Sequence, residues 1–140
     1  MKILDGKTVA AAMKQKIAER TVLLKKNTGT TPHLAAILVG NDGASETYVA
    51  NKIKSCAEVG FESTLLRFPA DTSAKEVTDA IRKLNDDPGI HGILVQLPLP
   101  KHINESEIIN LIDPAKDVDG FHPMSVGSFG PSLGWARSSR

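Results

Sequence analysis

His33-Leu-Ala-Ala-Ile-Leu-Val39 is a short and nearly continuous apolar run, with Pro32 before it and Gly40 after it. A run of this length that is bounded by turn residues is typical of a strand buried on both faces. Such strands belong to parallel sheets that are covered by helices on both sides. The run therefore predicts the centre of an α/β domain.

The segments around this run alternate between helical and strand-like patterns. Apolar residues recur near every fourth position from Thr8 to Lys26, which predicts an amphipathic helix that Gly29 ends. A second helix follows the run, with Ser45 as its N-cap and Gly60 at its C-terminal stop.

The same alternation continues along the rest of the chain. The pattern predicts a strand from Phe61 to Phe68, a helix from the capping box Ser73-x-x-Glu76 to Asn85, a strand from Ile90 to Leu97, and a short helix from Asn104 to Ile112. Strands that alternate with helices imply right-handed crossovers. We therefore expect a three-layer α/β/α domain with a mainly parallel sheet.

The composition is that of a globular chain without a charge bias. Of 140 residues, 41% are hydrophobic and 24% charged, and the net charge is +1, which gives no electrostatic reason to expect nucleic acid or an anionic membrane as a partner. No apolar run approaches membrane-spanning length. The single cysteine, Cys56, cannot form an internal disulfide, so we expect a buried thiol and a reducing compartment such as the cytoplasm.

Three groups of polar residues follow predicted strands, where the ligands of open α/β sheets bind. In the first group, Tyr48 and Lys52 are spaced i, i+4 on one face of the second helix. Partial burial or a cationic substrate would disfavour the ammonium form of Lys52. A neutral amine could then activate water or pass a proton through Tyr48. The alternative is a solvated helix face.

The second group is Gln96, which interrupts the apolar segment Gly92-Ile-Leu-Val-Gln-Leu-Pro-Leu-Pro100. A buried glutamine costs stability unless its amide is paired, and the two prolines that follow stop ladder pairing and stiffen the exit of the strand. A rigid strand end that holds one amide suits the recognition of a flat heterocycle. An ordinary strand end with a hydrogen-bonded glutamine fits equally well.

The third group is the pair Asp117 and Asp119, which precedes Gly120. The carboxylates are too few for a calcium loop and their spacing fits no zinc site, so no metal is expected. Two alternatives remain. One carboxylate binds an amino group of a ligand, or the segment is an Asp turn without a ligand. For His122 we expect a hydrogen-bonded structural role.

Together, three segments resemble the methylenetetrahydrofolate dehydrogenase/cyclohydrolase family in content, order and spacing. They are Val39-Gly-Asn-Asp-Gly-Ala-Ser-Glu-Thr-Tyr-Val-Ala-Asn-Lys-Ile-Lys54, Gly92-Ile-Leu-Val-Gln-Leu-Pro-Leu-Pro100 and Lys116-Asp-Val-Asp-Gly-Phe-His-Pro123. The resemblance implies that Lys52 is the central catalytic residue, tuned by Tyr48 and Gln96, and that Asp119 holds the pterin ring. It also implies a folate pocket lined by Val95, Gln96 and Leu97.

The resemblance further implies an activity in one-carbon metabolism. Members of the family oxidise 5,10-methylenetetrahydrofolate by hydride transfer to NADP, or to NAD in some cases, and hydrolyse the methenyl product to 10-formyltetrahydrofolate. They form homodimers, largely through a second domain of the Rossmann type. The cationic methenyl carbon suits a neighbouring lysine that gives up its proton.

The resemblance runs from the N-terminus to about Gly127 and covers only one half of a typical family member. We expect a catalytic domain over residues 1–127 and an irregular tail over 128–140, with no glycine-rich dinucleotide turn in this chain. The Rossmann-type domain is then missing, together with every cofactor-binding residue and most of the dimer interface. Dehydrogenase activity is expected to be lost, while weak hydrolysis could persist.

Three other interpretations compete with this one. A short-chain dehydrogenase also uses Tyr-x-x-x-Lys, but it begins with a strand and a glycine-rich turn, whereas this chain begins with a helix. A non-catalytic remnant that binds folate or a partner without turnover belongs to a different functional class. A truncation product that misfolds would aggregate.

Overall fold

The computed structural model describes residues 5–124, which form four helices and three strands. In chain order the elements are α1 (Gly6–Thr28), β1 (His33–Val39), α2 (Gly43–Glu58), β2 (Glu62–Phe68), α3 (Ala74–Asp86), β3 (Gly92–Val95) and α4 (Glu105–Leu111). The strands form one parallel sheet in the order β2-β1-β3. The predicted α/β class is confirmed.

Strand β1 is the centre of the sheet, as the apolar run predicts. It pairs with β2 in the register His33 to Glu62, and with β3 in the register Leu34 to Gly92. Residues 35–39 are all buried, because each of the two faces of the strand is covered by helices. Because β2 and β3 both run parallel to β1, the carboxyl ends of all three strands lie at one edge of the sheet.

The two faces of the sheet carry separate apolar cores. On one face, Val49 of α2 packs with alternate residues of β1 and β3, including Leu38 and Leu94. On the other face, α3 and α4 pack on the remaining strand residues, including Ile37 and Ile93. This division into helix, sheet and helix is the predicted three-layer arrangement.

Helix starts follow the capping rules, with one correction to the prediction. The N-cap of α2 is Asp42 and not Ser45, because the Asp42 carboxylate accepts a hydrogen bond from the backbone N–H of Ser45 at 2.8 Å. This bond is the main cause that lowers the pKa of Asp42. Helix α3 has the predicted capping box, in which Ser73 and Glu76 accept from each other's backbone N–H groups.

Strand β3 ends two residues earlier than predicted, at Val95 instead of Leu97. Gln96 still donates its backbone N–H to the carbonyl of Ile37 at 2.9 Å, so it continues the line of the strand without being part of it. The Leu97–Pro98 peptide bond is cis, and proline has no N–H for a ladder bond.

A short segment adds to the sheet beyond β3, which the sequence did not predict. Ile93 forms a parallel bridge with Asp117, and its backbone N–H donates to the carbonyl of Lys116 at 2.7 Å. Gly92 lies beside this segment: a Cβ atom added at Gly92 would be 2.6 Å from Cγ1 of Val118. Glycine at position 92 therefore permits the close approach of residues 116–118.

Helix α1 covers its predicted span, but its apolar stripe is largely exposed. Val9, Met13, Ile17 and Leu24 are 39–58% exposed. The contacts of α1 with the domain are few: Lys14 forms an ion pair with Glu58 of α2, and Thr21 is buried near Gly60. The periodicity predicts the helix correctly, while the apolar stripe does not pack into the core of the described residues.

Three further sequence predictions concern the domain boundary, the cysteine and membrane-spanning segments. The boundary at Gly127 and the tail over 128–140 lie outside the described residues. Cys56 is half-buried and not fully buried as predicted, and this partial burial raises the pKa of its thiol. Among residues 5–124, no helix combines the length and apolarity needed to cross a bilayer.

The close contact between Gly92 and Val118 generates a stability prediction. The substitution Gly92→Ala should destabilise the fold by about 1–3 kcal/mol, because the added methyl group overlaps a stiff valine side chain. Urea unfolding followed by circular dichroism measures the loss. The double variant Gly92→Ala/Val118→Ala should recover most of it, because Cβ of residue 118 is 3.9 Å away.

Val118→Ala alone is the matched control and should change stability by less than about 0.5 kcal/mol, since Val118 is 53% exposed. If Gly92→Ala proved as stable as the native chain, the packing of residues 116–118 beside β3 would not depend on a glycine at position 92.

Candidate functional site

Helix α2 carries the first pair of candidate residues along the side of the sheet. Val49 and Ile53 pack on the sheet, so Tyr48 and Lys52, each one residue earlier, lie on an adjoining face of the helix. Tyr48 is 62% exposed, and the Lys52 side chain is 41% exposed. Both side chains are accessible to a ligand at the carboxyl edge.

The second feature is an ion pair that joins α2 to the segment after α4. Nζ of Lys52 lies 3.6 Å from Oδ1 of Asp119, and the Asp119 side chain is 27% exposed. The separation is longer than a well-formed N–H···O hydrogen bond, so the contact is an ion pair without tight geometry. The two groups are separated by more than sixty residues in sequence, and only the fold brings them together.

Gln96 supplies an unsatisfied acceptor at the same edge. Its Nε2 donates to the carbonyl of Leu97 at 2.8 Å, while its Oε1 is buried without a hydrogen-bond partner among the described residues. A buried polar atom without a partner is costly and calls for an explanation. Leu94 faces α2, and the alternation of the strand places Gln96 on that same side.

Val95 and Leu97, the other predicted pocket residues, belong mainly to the opposite side of the sheet. Val95 is 5% exposed and Leu97 is half-buried, and both pack in the core formed with α3 and α4. Val95 also borders a narrow crevice together with Asp119 and Phe121. Their side chains do not face α2, so Gln96 is the residue of this strand end that lies on the α2 side of the sheet.

The two aspartates of the third group have different surroundings. Oδ1 of Asp117 accepts the backbone N–H of Gly120 at 3.1 Å, and Oδ2 accepts that of His122 at 3.0 Å. Asp117 thus forms an Asp turn, and Asp119 is the carboxylate that faces a lysine. His122 has the expected structural role, because its Nδ1 accepts the backbone N–H of Met124 at 3.1 Å.

The structure therefore brings Lys52 and Asp119 into contact and places Tyr48 one helical turn from Lys52. It also leaves the buried Oε1 of Gln96 without a hydrogen-bond partner among the described residues. Sequence reasoning missed that Lys116 and Asp117 hold the segment that carries Asp119. The Asp117-x-x-Gly120 spacing, which is typical of a side-chain-capped turn, was the available signal.

A metal ion and a dinucleotide are the two kinds of cofactor that a site at this edge of the sheet could hold. Within residues 5–124, no cluster of three His, Cys, Asp or Glu side chains is arranged to hold a metal. The helix N-termini, which would bind phosphate, are capped by side chains of the chain itself: Asp5, Asp42, Ser73 and Asn104.

Comparisons with known proteins agree on one family. A family model described as "Tetrahydrofolate dehydrogenase/cyclohydrolase, catalytic domain" matches residues 4–119. The bifunctional protein FolD of Porphyromonas gingivalis is 52% identical over 126 residues, which is 90% of this chain and 43% of that protein. FolD of Streptococcus pneumoniae is 51% identical over 125 residues, or 89% of this chain and 44% of that protein.

Solved structures agree with this fold. The bifunctional FolD enzyme of Campylobacter jejuni superposes with a TM-score of 0.88 at 45% identity, over 91% of this chain and 45% of that one. The Trypanosoma brucei methylenetetrahydrofolate dehydrogenase-cyclohydrolase, solved with NADP and an inhibitor, gives a TM-score of 0.87 at 34% identity, over 91% of this chain and 43% of that one.

The chain spans less than half the length of the curated relatives that it matches. The matched region nevertheless includes Tyr48, Lys52, Gln96 and Asp119, and it corresponds to the catalytic domain. The chain belongs to the tetrahydrofolate dehydrogenase/cyclohydrolase family.

Proposed function

We propose that this chain binds a reduced folate at the carboxyl edge of its sheet and hydrolyses 5,10-methenyltetrahydrofolate to 10-formyltetrahydrofolate. The observation that carries the proposal is the Lys52–Asp119 ion pair, with the open Oε1 acceptor of Gln96 on the same side of the sheet. An amine, a carboxylate and an amide suit a pterin, whose ring presents donors and acceptors along one edge. Family membership supports the substrate class.

The ion pair suggests how binding prepares the amine. The Lys52 ammonium group pairs with the Asp119 carboxylate, and an ammonium group cannot accept a proton. A pterin that donates its amino groups to Asp119 would replace Lys52 as the partner of that carboxylate. The cationic methenyl group beside Lys52 would then disfavour the ammonium form by charge repulsion. Substrate binding therefore converts Lys52 into a base.

Hydrolysis then follows with all atoms accounted for. A water oxygen attacks the cationic methenyl carbon and forms a C–O bond, while the Lys52 amine accepts a water proton. The bond from that carbon to N5 breaks, its electron pair stays on N5, and the formyl group remains on N10. The second water proton leaves the hydroxyl group as the formyl carbonyl forms, and N5 takes up a proton in its place, so that N5 ends as a secondary amine.

Tyr48 and Gln96 have supporting roles in this proposal. The Tyr48 phenol, one helical turn from Lys52, can relay the proton to solvent because it is 62% exposed. The Gln96 amide can orient the ring, while Val95 and Leu97 fix the strand end beside the folate pocket by packing in the core on the opposite face of the sheet. The proposed catalytic unit spans residues 1–127. The proposed location is a reducing compartment such as the cytoplasm, because the single Cys56 has no intramolecular partner for a disulfide.

Binding without turnover is the second candidate function. The same ion pair favours it, because a lysine that stays paired with Asp119 in the complex would bind substrate charge and not accept a proton. Calorimetry with tetrahydrofolate, run beside the hydrolysis assay, separates the two functions: heat of binding without loss of the methenyl chromophore would indicate the binding role.

The role of Lys52 gives the first functional prediction. Lys52→Met should lower the rate of methenyl hydrolysis by about 100-fold or more, because the general base is removed while the side-chain volume is kept. Loss of the methenyl absorbance measures the rate. Lys54→Met, at an exposed position of the same helix, is the control and should keep the native rate. Equal rates for the two variants would contradict the assignment.

The second functional prediction concerns the NADP-dependent oxidation. A polypeptide of these 140 residues should form no NADPH from NADP and 5,10-methylenetetrahydrofolate, because the described residues lack a phosphate-binding helix N-terminus. NADPH absorbance measures the reaction, with a full-length relative such as the Campylobacter jejuni enzyme as positive control. Sustained NADPH formation by the 140-residue chain would show that the cofactor binds here after all.

A further inference from the structure

We propose that Asp117 is a positioning residue of the candidate site, and that it acts through Asp119. Its carboxylate fixes the turn that presents Asp119 to Lys52. The consequence for folate binding rests on the proposed function, whereas the positioning itself rests on contacts within residues 116–122.

Both oxygens of the Asp117 carboxylate accept backbone hydrogen bonds that bracket Asp119. Oδ1 accepts from Gly120 at 3.1 Å and Oδ2 accepts from His122 at 3.0 Å. Gly120 has a φ of +70°, a left-handed conformation that glycine adopts without strain. The chain therefore turns directly after Asp119, around a charged acceptor that forms stronger bonds than a neutral group would.

The base of this turn is anchored before Asp119 is reached. Asp117 forms the parallel bridge with Ile93 of β3, which ties its backbone to the sheet. The preceding residue, Lys116, donates its ammonium group to three carbonyl oxygens at the end of α3. These are the carbonyls of Leu84 at 2.9 Å, Asn85 at 2.7 Å and Asp87 at 2.8 Å.

Among residues 5–124, Asp119 has no comparable anchor. Its carboxylate forms the 3.6 Å ion pair with Lys52, and a pair of this exposure does not hold a loop by itself. The position of Asp119 thus depends on the turn, and the turn depends on both oxygens of Asp117. Misplacement of a binding group by about 1 Å is enough to weaken a site strongly.

The variant Asp117→Asn tests the proposal, because an asparagine keeps one acceptor oxygen and replaces the other with an NH₂ group. Asp113→Asn is a matched control in the same segment. Asp113 uses only one oxygen, which accepts the backbone N–H of Ala115 at 2.9 Å, so asparagine can replace it. Asp117→Glu keeps the charge but misplaces both oxygens, and it decides the test if Asp117→Asn fails to fold.

The first measurement needs no folate. The acylation rate of Lys52 by an N-hydroxysuccinimide ester is followed by peptide mass spectrometry in the 140-residue chain, with Lys54 as internal reference. Asp119→Asn should raise the Lys52 rate about two- to fivefold, the range expected for loss of an exposed ion pair. Asp117→Asn should raise it equally, and the double variant should show no further increase, because both substitutions break the same contact.

The second measurement is tetrahydrofolate binding by calorimetry. Asp117→Asn and Asp119→Asn should each weaken tetrahydrofolate binding about tenfold. The loss of affinity in the double variant should be far smaller than the product of the two single losses. A purely structural role of Asp117 would instead give independent, multiplicative effects. Asp113→Asn should match the native chain in both measurements.

The outcomes separate the two proposals. If the native chain does not bind tetrahydrofolate, the proposed function fails, while the acylation rates still decide the role of Asp117. If Asp117→Asn changes the Lys52 rate no more than Asp113→Asn does, or adds its full effect to that of Asp119→Asn, the positioning role is wrong.

Discussion

The contact between the Lys52 amine and the Asp119 carboxylate is the interaction on which the candidate site depends. It joins a helix that leaves the central strand to a segment that returns beside β3. Both positions follow from one constraint: three parallel strands end at the same edge of the sheet, so whatever follows them meets there. A change of register in β1 would move its side chains to the wrong faces and separate the pair.

Much of the fold could be predicted because its signals are local. The apolar run at 33–39 predicts a strand with the observed bounds, and the Ser73-x-x-Glu76 spacing predicts a real capping box. Errors arise where neighbouring residues offer equivalent signals. Asp42 and Ser45 are both good N-caps, and the helix begins with the earlier one. The apolar residues on both sides of Gln96 suggested a strand that continues to Leu97, although the strand ends at Val95 and Pro98 follows.

The candidate site was only partly predictable, for a different physical reason. Sequence motifs indicated Tyr48, Lys52, Gln96 and Asp119, but a motif does not reveal which groups are already partnered. The pairing of Lys52 with Asp119, the open acceptor of Gln96, and the use of both Asp117 oxygens inside a turn are products of tertiary packing. The exposure of the apolar stripe of α1 could not be predicted either, because the spacing of apolar residues indicates a helix but not whether another element covers it.

The central claim is that the bound substrate replaces Lys52 as the partner of the Asp119 carboxylate, so that the Lys52 amine can act as a base. A crystal structure of the chain with a non-hydrolysable methenyltetrahydrofolate analogue tests it most directly. We expect the pterin amino groups on Asp119, the ring near Oε1 of Gln96, and Nζ of Lys52 turned toward the one-carbon unit and outside ion-pair distance of Asp119. An analogue bound elsewhere, or bound at this edge with the Lys52–Asp119 pair intact, would contradict the claim.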